Sequence, residues 1–378
     1  MKKIAVGQAG GPTSVINTSL VGFLEEIDVE VFGVINGFQG LVEGNLTHIN
    51  EQKKKEINQF RKIPGACLGA GRYTLSEENK VEAIRVLQKK DIHCLVFIGG
   101  NGTASALYKL SETAKELNYE LQVIGIPKTV DNDIYGMDHA PGFASAARYV
   151  ATSVRDINQD LKSMRNFEQV RIIETMGRHS GWLAAASGLL KINKNAGPQA
   201  ICLPEQQLKI ENILENIKEI VSQNGFATIV VSEGIKIKDN NFEEKMSVKG
   251  RTVLGGVSSG IANRVKKELG FVAREEVLGM NQRSSQLTIS LQDLEESYQV
   301  GQKAAWLVRE EVTNVMVGIH RKERNSYQYF LSEVPLQKIY TSGESHLPKL
   351  FLEDFDAYYK WLSPLVGNDL QSYPEIFI

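Results

Sequence analysis

The chain has 378 residues, of which 42% are hydrophobic and 23% charged, and its formal net charge at pH 7 is −2. This length predicts two domains, and the composition is typical of a soluble globular protein. The near-neutral charge argues against a basic surface for nucleic acid, and no apolar run approaches the roughly 18 residues that a membrane span needs.

The N-terminal "MKKIAVGQAGG" reaches its glycines too early for a signal peptide, so a buried strand and a cytoplasmic protein are expected. The cysteines Cys67, Cys94 and Cys202 are scattered and odd in number, which predicts reduced thiols rather than a disulfide framework. The six histidines show no HxxxH or HxH spacing, so no zinc site is expected.

In chain order, the first half alternates β-rich runs with amphipathic patterns. The runs "KIAVGQ", "VEVFGVI", "HCLVFIGG" and "LQVIGIP", which begin at Lys3, Val29, His93 and Leu121, predict strands. Helical spacing of apolar residues runs from Val15 to Ile27 and returns in "KVEAIRVLQKKD" and "TASALYKLSETAKEL". Nearly unbroken apolar runs such as "HCLVFIGG" are typical of parallel strands covered on both faces.

The second half continues this alternation and closes with a hairpin. Helices are predicted for "SAARYVATSVRDINQDLKSM", "GWLAAASGLL", "SSGIANRVKKEL" and "SLQDLEESYQVGQKAAWLVREE", and strands for "VRIIETMG" and "FATIVVSEG". "NVMVGIH" and "YQYFLSEVP" predict a hairpin joined around "RKERNS". The pattern predicts an α/β fold of two lobes with mainly parallel sheets. We place one lobe at residues 1–142, completed by about 285–315, and the other at 143–284, completed by about 316–378.

Glycine-rich loops follow two of the predicted strands, where ligands bind in parallel sheets. "GQAGGPTS" places Gly7, Gly10 and Gly11 between a strand and a helix, and "GGNGT" (Gly99–Thr103) repeats the arrangement. Glycine lets the backbone approach an anion, and a helix N-terminus offers N–H groups. One such loop is equally typical of a structural turn, but two in one lobe favour phosphate binding. Neither is a P-loop, because no GK[ST] follows.

Arg72 follows another glycine pair in "LGAGRYTL". A guanidinium at this place can hold a terminal phosphate through two parallel hydrogen bonds. A surface ion pair is the alternative interpretation of this residue.

The segment "PKTVDND" supplies the groups that glycine loops lack. Phosphoryl transfer to an alcohol needs a carboxylate that accepts the hydroxyl proton and cations that screen the charge. If the segment is extended, Asp131 and Asp133 point the same way, about 6.5 to 7 Å apart. One can then act as the base while the other orients groups or a hydrated Mg²⁺. Lys128 can neutralise the migrating phosphate, and Thr129 can hold a sugar hydroxyl or phosphate. A capped turn is the alternative, because Asp and Asn favour turns.

Taken together, these motifs resemble the phosphofructokinases, which phosphorylate the 1-hydroxyl of fructose 6-phosphate. The resemblance covers nearly the whole chain through "GQAGGPTSVIN", "GGNGT", "PKTVDND", "MGRHSGW", "VSEG", "LGGVSSGIANRV" and "VLGMNQR". It implies two Rossmann-like α/β lobes with the active site between them, a requirement for Mg²⁺, and a homodimer or homotetramer. The implied acceptor is fructose 6-phosphate, and the implied donor is diphosphate or ATP.

The resemblance also implies a role for each matching residue. Asp131 accepts the proton of the sugar hydroxyl, with Lys128 and Asp133 in the same catalytic set. Asn101 holds Mg²⁺ directly or through water. The implied acceptor-binding residues are Thr129, Met176, Gly177, Arg178, Glu233, Arg274, Met280 and Arg283. The implied donor-binding residues are Gly11, Arg72, Gly100, Gly102 and Thr103.

Three positions depart from the family pattern. Asn101 stands where members commonly have an aspartate that helps to hold Mg²⁺, so one negative charge is lost. Met280 replaces a histidine or tyrosine near the 6-phosphate, which alters the hexose pocket. Gln169 occupies the position of an arginine that a neighbouring subunit usually supplies, and Arg171 and Arg165 are the candidates to replace it.

The markers of the phosphoryl donor conflict. Diphosphate-dependent members usually have a lysine where Lys128 stands, together with an aspartate in place of Gly102, whereas ATP-dependent members usually have a glycine in place of the lysine. An aspartate would repel the α-phosphate of a nucleotide, but Gly102 leaves that space open. Lys128 supplies a fixed cation, from which a diphosphate transition state gains. Because "VGQAGGPTSVINTSLVG" and "MDHAPGFASAARY" resemble the bacterial diphosphate-dependent branch, we predict diphosphate, with ATP as the alternative.

Other functions stay open at this stage. Asn101 and Met280 are compatible with a sugar-phosphate sensor that has lost turnover, or with a relaxed kinase that accepts a sugar such as sedoheptulose 7-phosphate. The retained Asp131 argues against loss of turnover. A lipid or NAD kinase shares a loop like "GGNGT" but lacks the pair "PKTVDND" and "MGRHSGW".

Overall fold

The computed structural model describes residues 3–193, 196–237, 246–248, 251–322 and 326–374. It contains two compact units, each with its own mainly parallel sheet. Unit 1 consists of Met1–Ala144 and Arg283–Ser345, and unit 2 consists of Ser145–Gln282 and His346–Ile378. The predicted α/β class with mainly parallel sheets is confirmed.

The strands and helices follow one another in the alternation that the sequence predicts. The strands are β1 (Lys3–Gln8), β2 (Val31–Val34), β3 (Leu46–His48), β4 (Ile92–Gly99), β5 (Gln122–Pro127), β6 (Val170–Thr175), β7 (Ala200–Cys202), β8 (Ala227–Ser232), β9 (Met246–Val248), β10 (Arg251–Val253), β11 (Ala273–Val277), β12 (Val315–Arg321) and β13 (Tyr329–Pro335). The helices are α1 (Ile16–Glu25), α2 (Gly37–Glu43), α3 (Glu51–Asn58), α4 (Glu77–Lys90), α5 (Asn101–Glu116), α6 (Phe143–Met164), α7 (Trp182–Ala186), α8 (Ile210–Asn224), α9 (Val257–Arg264), α10 (Asn281–Ser284), α11 (Leu291–Arg309), α12 (Leu336–Ser342), α13 (Lys349–Glu353) and α14 (Phe355–Val366), and a π-helical turn, Val265–Leu269, continues α9.

A seven-stranded sheet forms the core of unit 1, in the order β13-β12-β5-β4-β1-β2-β3. The inner strands run parallel, while β3 and β13 are antiparallel to their neighbours at the two edges. Ile4 and Val6 of β1 join the cluster of apolar side chains from α1 and α11, whereas Ala5 joins the cluster from α4 and α5. Both faces are therefore covered, which explains the unbroken apolar runs.

The C-terminal hairpin belongs to unit 1, so the expectation that residues 316–378 complete the other lobe is wrong for residues 316–345. β12 pairs in parallel with β5, and β13 pairs antiparallel with β12, which adds the hairpin to the first sheet. The hairpin itself is confirmed, although residues 323–325 of its connection lie outside the described residues. Only the chain from His346 onward joins unit 2, where the Tyr358 hydroxyl donates to the Trp182 carbonyl at 2.6 Å.

Three loops leave the same edge of the sheet in unit 1. Gln8 of β1 lies opposite Ile98 of β4, and Gly99 of β4 lies opposite Pro127 of β5. "GQAGGPTS", "GGNGT" and "PKTVDND" therefore begin side by side, at the carboxyl ends of parallel strands, where ligands bind in such sheets.

A four-stranded parallel sheet forms the core of unit 2, in the order β11-β6-β8-β7. Thr175 at the end of β6 lies opposite Ser232 at the end of β8, so the turns "MGRH" and "SEG" begin next to each other. The apolar face of α8, which includes Ile210, Leu214 and Ile217, covers this sheet. Within the described ranges, no helix has both the length and the apolar character to cross a membrane.

Candidate active site

The segment "PKTVDND" lies against the end of β4. The Lys128 N–H donates to the Gly99 carbonyl at 3.0 Å, which joins the segment to the second glycine loop. The backbone then turns at Asn132, whose φ of 52° lies in the left-handed region. The segment is therefore not extended throughout, so the condition under which Asp131 and Asp133 would point the same way is not met.

The two aspartates of this segment have different environments. Asp133 is buried, and its Oδ1 accepts a hydrogen bond from the Thr129 hydroxyl at 3.1 Å. Burial raises the pKa of Asp133, and the negative charge of Glu344 raises it further. Thr129 Oγ1 in turn accepts from the Asp131 N–H at 3.1 Å. Because Asp131 is only half-buried, it is the better placed of the two to exchange a proton with a substrate.

Lys128 is a buried cation whose ammonium makes no hydrogen bond or ion pair with a described residue. Burial lowers its pKa to about 8, although the charges of Asp131 and Asp133 act to raise it. The positive charges of Arg283 and Arg72 lower the pKa further. A buried charge without a partner destabilises the folded protein, so a bound anion that pairs with Lys128 would offset this cost.

The first glycine loop packs against these cations. A side-chain atom added at Gly10 would lie 3.2 Å from Lys128 Nζ. One added at Gly11 would collide with the guanidinium of Arg283, which the resemblance assigns to the acceptor and which lies here beside a donor residue. The Gly10 N–H donates at 2.9 Å to the carbonyl of the residue before Arg72. The structure therefore brings the predicted donor residues and three cationic side chains together in unit 1.

The loop "GGNGT" opens α5 and contacts the catalytic segment. Gly100 caps the helix, and Asn101 is its first residue. The Asn101 amide nitrogen donates to the Asp133 carbonyl at 2.9 Å, while its Oδ1 is buried and has no hydrogen-bond partner in the described chain. Thr103 is buried, whereas Gly102 is exposed and a side-chain atom added to it would meet nothing within 4 Å.

The chemistry of these side chains fits a magnesium ion. Mg²⁺ takes oxygen ligands and keeps several waters, so it needs few ligands from the protein. Asn101 Oδ1 is a buried oxygen without a partner, and the carboxylate of Asp131 belongs to the adjoining segment. The described part of the chain contains no group of three or more His, Cys, Asp or Glu that could hold a metal. An ion at this place would therefore be held by Asn101, water and the oxygens of its phosphate ligand.

In unit 2, the predicted acceptor residues of "MGRH" and "VSEG" come together at the ends of β6 and β8. The Arg178 N–H donates to Glu233 Oε1 at 3.3 Å, and the Glu233 N–H donates to the Thr175 carbonyl at 2.9 Å. Gly177 has a φ of 139°, and an added side-chain atom there would lie 2.6 Å from the Ser180 carbonyl. Glycine is therefore required for this turn.

Sequence reasoning missed two features of this turn. The Gln282 side chain accepts from the Met176 N–H at 3.0 Å and donates to the Gly279 carbonyl at 3.0 Å, so it ties the turn to the segment that carries Met280. Its place beside Arg283 in "VLGMNQR" was the available signal. In addition, several polar atoms of the turn are buried without a partner among the described residues, namely Thr175 Oγ1, Arg178 Nε, Ser180 Oγ and Ser232 Oγ. Buried polar atoms normally have partners, so a polar ligand would satisfy them.

Arg274 lies on β11 at the side of β6. Its Nε contacts Oε2 of the buried Glu168 at 3.0 Å, while 60% of the Arg274 side chain is exposed. Met280, which follows on the same segment, is also exposed. Arg274 is thus oriented by Glu168, and its terminal nitrogens stay open to solvent.

Arg171 and Arg165, the candidates to replace the arginine that is missing at Gln169, have different surroundings. Arg171 is buried and saturated, because its Nε donates to Glu168 at 2.7 Å and its Nη1 donates to Glu276 at 2.8 Å. Arg165 lines a cavity of about 230 Å³ whose lining includes neither Gln169 nor Arg274. Gln169 itself is held by the backbone, since its Oε1 accepts from a main-chain N–H at 3.1 Å. Arg171 is therefore already paired with carboxylates, and the replacement of the missing arginine by Arg165 stays a prediction.

A buried ionic network behind the catalytic segment was also missed. His139 Nδ1 lies 2.8 Å from Asp138 Oδ2, and its Nε2 lies 2.6 Å from Glu296 Oε2 of α11. Burial alone would lower the pKa of His139, but the charges of Glu296 and Asp138 raise it to about 10. The Gly142 N–H also donates to Asp293 on α11 at 2.8 Å. These contacts anchor the segment to the helix, and the adjacent Asp and His in "MDHAPGF" were the available signal.

Several known proteins are similar to this chain. Residues 3–308 match the family model described as phosphofructokinase. The chain is 46% identical over 366 residues to a sulfofructose kinase of Alkalicoccus urumqiensis, and the matched region spans 96% of this chain and 95% of that protein. It is 33% identical over 358 residues to a pyrophosphate–fructose 6-phosphate 1-phosphotransferase of Xanthomonas campestris, and this match spans 91% of this chain and 85% of that protein. The crystal structure of a pyrophosphate-dependent phosphofructokinase from Nitrosospira multiformis matches with a TM-score of 0.87 and 30% sequence identity, and the match spans 99% of this chain and 94% of that chain.

Proposed function

Because the chain belongs to the phosphofructokinase family, we propose that it transfers a phosphoryl group to the 1-hydroxyl of a fructose that carries an acidic group at C6. The observation that carries this proposal lies within unit 1. The segment of Asp131 is hydrogen-bonded to "GGNGT" at two points, since the Lys128 N–H donates to Gly99 and the Asn101 side chain donates to the Asp133 carbonyl. A half-buried carboxylate thus lies beside a glycine loop, a helix N-terminus and a buried cation.

These groups divide the chemistry of phosphoryl transfer among them. Asp131 accepts the proton of the sugar hydroxyl as its oxygen bonds to phosphorus and the bond to the donor oxygen breaks. Backbone N–H groups at the start of α5 and the charges of Lys128 and Arg72 hold the donor phosphates. Mg²⁺, when bound near Asn101, neutralises charge on the phosphate oxygens. Asp133 keeps Thr129 and the segment in place through its buried hydrogen bond.

For the acceptor, we propose sulfofructose with its sulfonate in the place of the 6-phosphate. A sulfonate carries one negative charge, whereas a phosphate monoester carries about −1.5 to −2 at pH 7. Gln169 and Met280 are uncharged where the family pattern has an arginine and a histidine or tyrosine, so this site offers fewer cations and donors. The 46% identity to a sulfofructose kinase supports the same choice.

Fructose 6-phosphate is the second candidate acceptor. Arg274 is retained, and an arginine fork binds a phosphate as readily as it binds other oxyanions. The relative from Xanthomonas campestris, at 33% identity, is named for fructose 6-phosphate. Turnover of this sugar would place the protein in glycolysis.

For the donor, we propose diphosphate, because Lys128 offers a buried cation beside the first glycine loop that pairs with no described residue. A donor without a nucleoside must be held by its phosphates and metal alone, so a fixed cation has more to contribute. ATP is the second candidate, because the open space around Gly102 leaves room for a larger donor.

The test is a two-by-two assay of the purified protein with Mg²⁺. Each acceptor, sulfofructose and fructose 6-phosphate, is combined with each donor, diphosphate and ATP, and kcat/KM is measured for all four pairs. The proposal expects the highest kcat/KM for sulfofructose with diphosphate. A higher value for fructose 6-phosphate overturns the acceptor, and a higher value for ATP overturns the donor. Binding of an acceptor by calorimetry without turnover by either donor would instead indicate a sensor.

We also propose a cytoplasmic homodimer or homotetramer, in keeping with the family. Sedimentation analysis of the purified protein tests the assembly, and a monomeric species with full activity would contradict it.

A further inference from the structure

One buried carboxylate in unit 2 contacts two arginines. Glu168 is 3% exposed, and its Oε1 accepts from Arg171 Nε at 2.7 Å and contacts Nη2 at 2.6 Å. Its Oε2 lies 3.0 Å from Nε of Arg274. Parallel pairing of β6 with β11 places Arg171 opposite Arg274 and so makes this shared contact possible.

The surroundings of this contact are acidic. Glu276 lies 2.8 Å from Arg171, and Asp160 of α6 lies 3.7 Å from it. Two guanidiniums therefore face three carboxylates, and the group carries no net positive charge. Two further charged groups lie close by, because Glu275 of β11 contacts Lys266 of the π-helical turn at 4.0 Å.

Arg274 still offers a binding edge. Only its Nε is engaged, and its terminal nitrogens have no partner within the described residues. Two parallel N–H groups of a guanidinium can hold two oxygens of a sulfonate or a phosphate. An anion at this edge would, however, also meet the charge of Glu168 behind it.

We propose that Glu168 is a specificity-determining residue, which makes the Arg274 edge favour a singly charged acid group over a doubly charged one. This inference rests on the proposed function, in which Arg274 holds the C6 group of the acceptor. Glu168 offsets the charge of Arg274, so the second negative charge of a phosphate finds no matching cation. A sulfonate carries only one negative charge, so it is repelled less by Glu168 than a phosphate is. The absent cation at Gln169 acts in the same direction.

The first test measures R, the ratio of kcat/KM for fructose 6-phosphate to kcat/KM for sulfofructose. Glu168→Gln keeps the shape of the side chain and removes its charge, so R is expected to rise about tenfold, which corresponds to about 1.4 kcal/mol. The matched control is Glu275→Gln, the same change on the same strand but on the opposite face of the sheet. R should stay within about twofold in the control.

A second test needs no variant and so does not depend on whether Glu168→Gln folds. The second ionisation of a phosphate monoester lies near pH 6, whereas a sulfonate does not change its charge between pH 5.5 and 7.5. In the wild-type protein, R should rise several-fold as the pH falls from 7.5 to 5.5. Titration of groups on the protein affects both acceptors and largely cancels in R.

The outcomes separate this inference from the proposed function. If wild-type protein turns over neither acceptor with either donor, the proposed function fails. If it turns over both, but R is independent of pH and equal in Glu168→Gln and Glu275→Gln, Glu168 is a structural link between strands and the inference is overturned. A rise of R in Glu168→Gln alone, together with the rise at low pH, supports it.

Discussion

Two buried cations, Lys128 in unit 1 and Arg171 in unit 2, have opposite surroundings. Lys128 has no hydrogen bond or ion pair with a described residue, and burial holds its pKa near 8. Arg171 is also buried, but it contacts Glu168, Glu276 and Asp160. Burial and charge alone therefore do not identify a binding group. A cation that the fold leaves without a partner is available to a ligand, whereas a saturated one holds strands together.

Loss of the carboxylate next to Lys128 should have the greatest consequence for turnover. Asp131→Ala removes the proposed proton acceptor, so kcat should fall about 10²- to 10⁴-fold with acceptor binding largely kept. Steady-state kinetics and calorimetry measure the two quantities. The exposed Asp356→Ala serves as control and should be near wild type. Near-normal turnover of Asp131→Ala would remove Asp131 from the role of base and with it the chemistry proposed for unit 1.

The next effect tests whether Lys128 is available to the donor. Lys128→Met should lower kcat/KM with diphosphate by about 30- to 200-fold, the equivalent of about 2 to 3 kcal/mol of transition-state stabilisation. Stability should stay the same or rise, because an unpaired buried charge is removed. Lys115→Met, on the exposed face of α5, is the control. If kcat/KM falls by the same factor with diphosphate and with ATP, Lys128 does not select the donor.

The saturated cation should respond in the opposite way. Arg171→Met leaves Glu168 with only one guanidinium and Glu276 with none, so the free energy of unfolding should fall by about 2 kcal/mol. This loss is smaller than for a fully buried ion pair, because Glu276 is partly exposed. Urea unfolding measures this change. Arg85→Met, which breaks an exposed pair with Glu82, should cost less than about 0.5 kcal/mol. Equal stability of the two variants would contradict the contrast with Lys128.

The sequence predicted those parts of the site that depend on local pattern. Glycines after apolar runs located the loops at Gly10 and Gly99, because parallel strands deliver their carboxyl ends to one edge of a sheet. Lys128 was identified as a member of the site for the same reason, since it directly follows a buried strand.

What the sequence did not reveal depends on contacts between distant segments. The saturation of Arg171 requires Glu276, 105 residues away, and follows from the pairing of β6 with β11. The left-handed turn at Asn132 is supported by the Ala140 N–H, which donates to its side chain at 3.0 Å. Residues 316–345 were assigned to the wrong lobe because only the parallel pairing of β12 with β5 fixes their place.

A weaker change is predicted for the pH dependence of turnover, which should depend on Lys128 and not on Arg171. Since the pKa of Lys128 in the folded protein is about 8, the free enzyme loses this positive charge as the pH rises through 8. We expect kcat/KM with diphosphate to fall up to about tenfold per pH unit above that value. The dependence of kcat/KM on pH is measured for the wild type and for Lys128→Met, and the difference between the two curves is the contribution of Lys128.

Stability should change in the other direction over the same range. In the unfolded chain the lysine has its ordinary pKa near 10.4, so between about pH 8 and 10.4 the unfolded state binds more protons than the folded state. The contribution of Lys128 to the free energy of unfolding therefore rises with pH while the contribution to turnover falls. Opposite slopes, both absent in Lys128→Met, would mark a buried cation that costs stability and serves binding. Parallel slopes would mean that the group is paired in the folded protein, as Arg171 is, and the contrast between the two units would be lost.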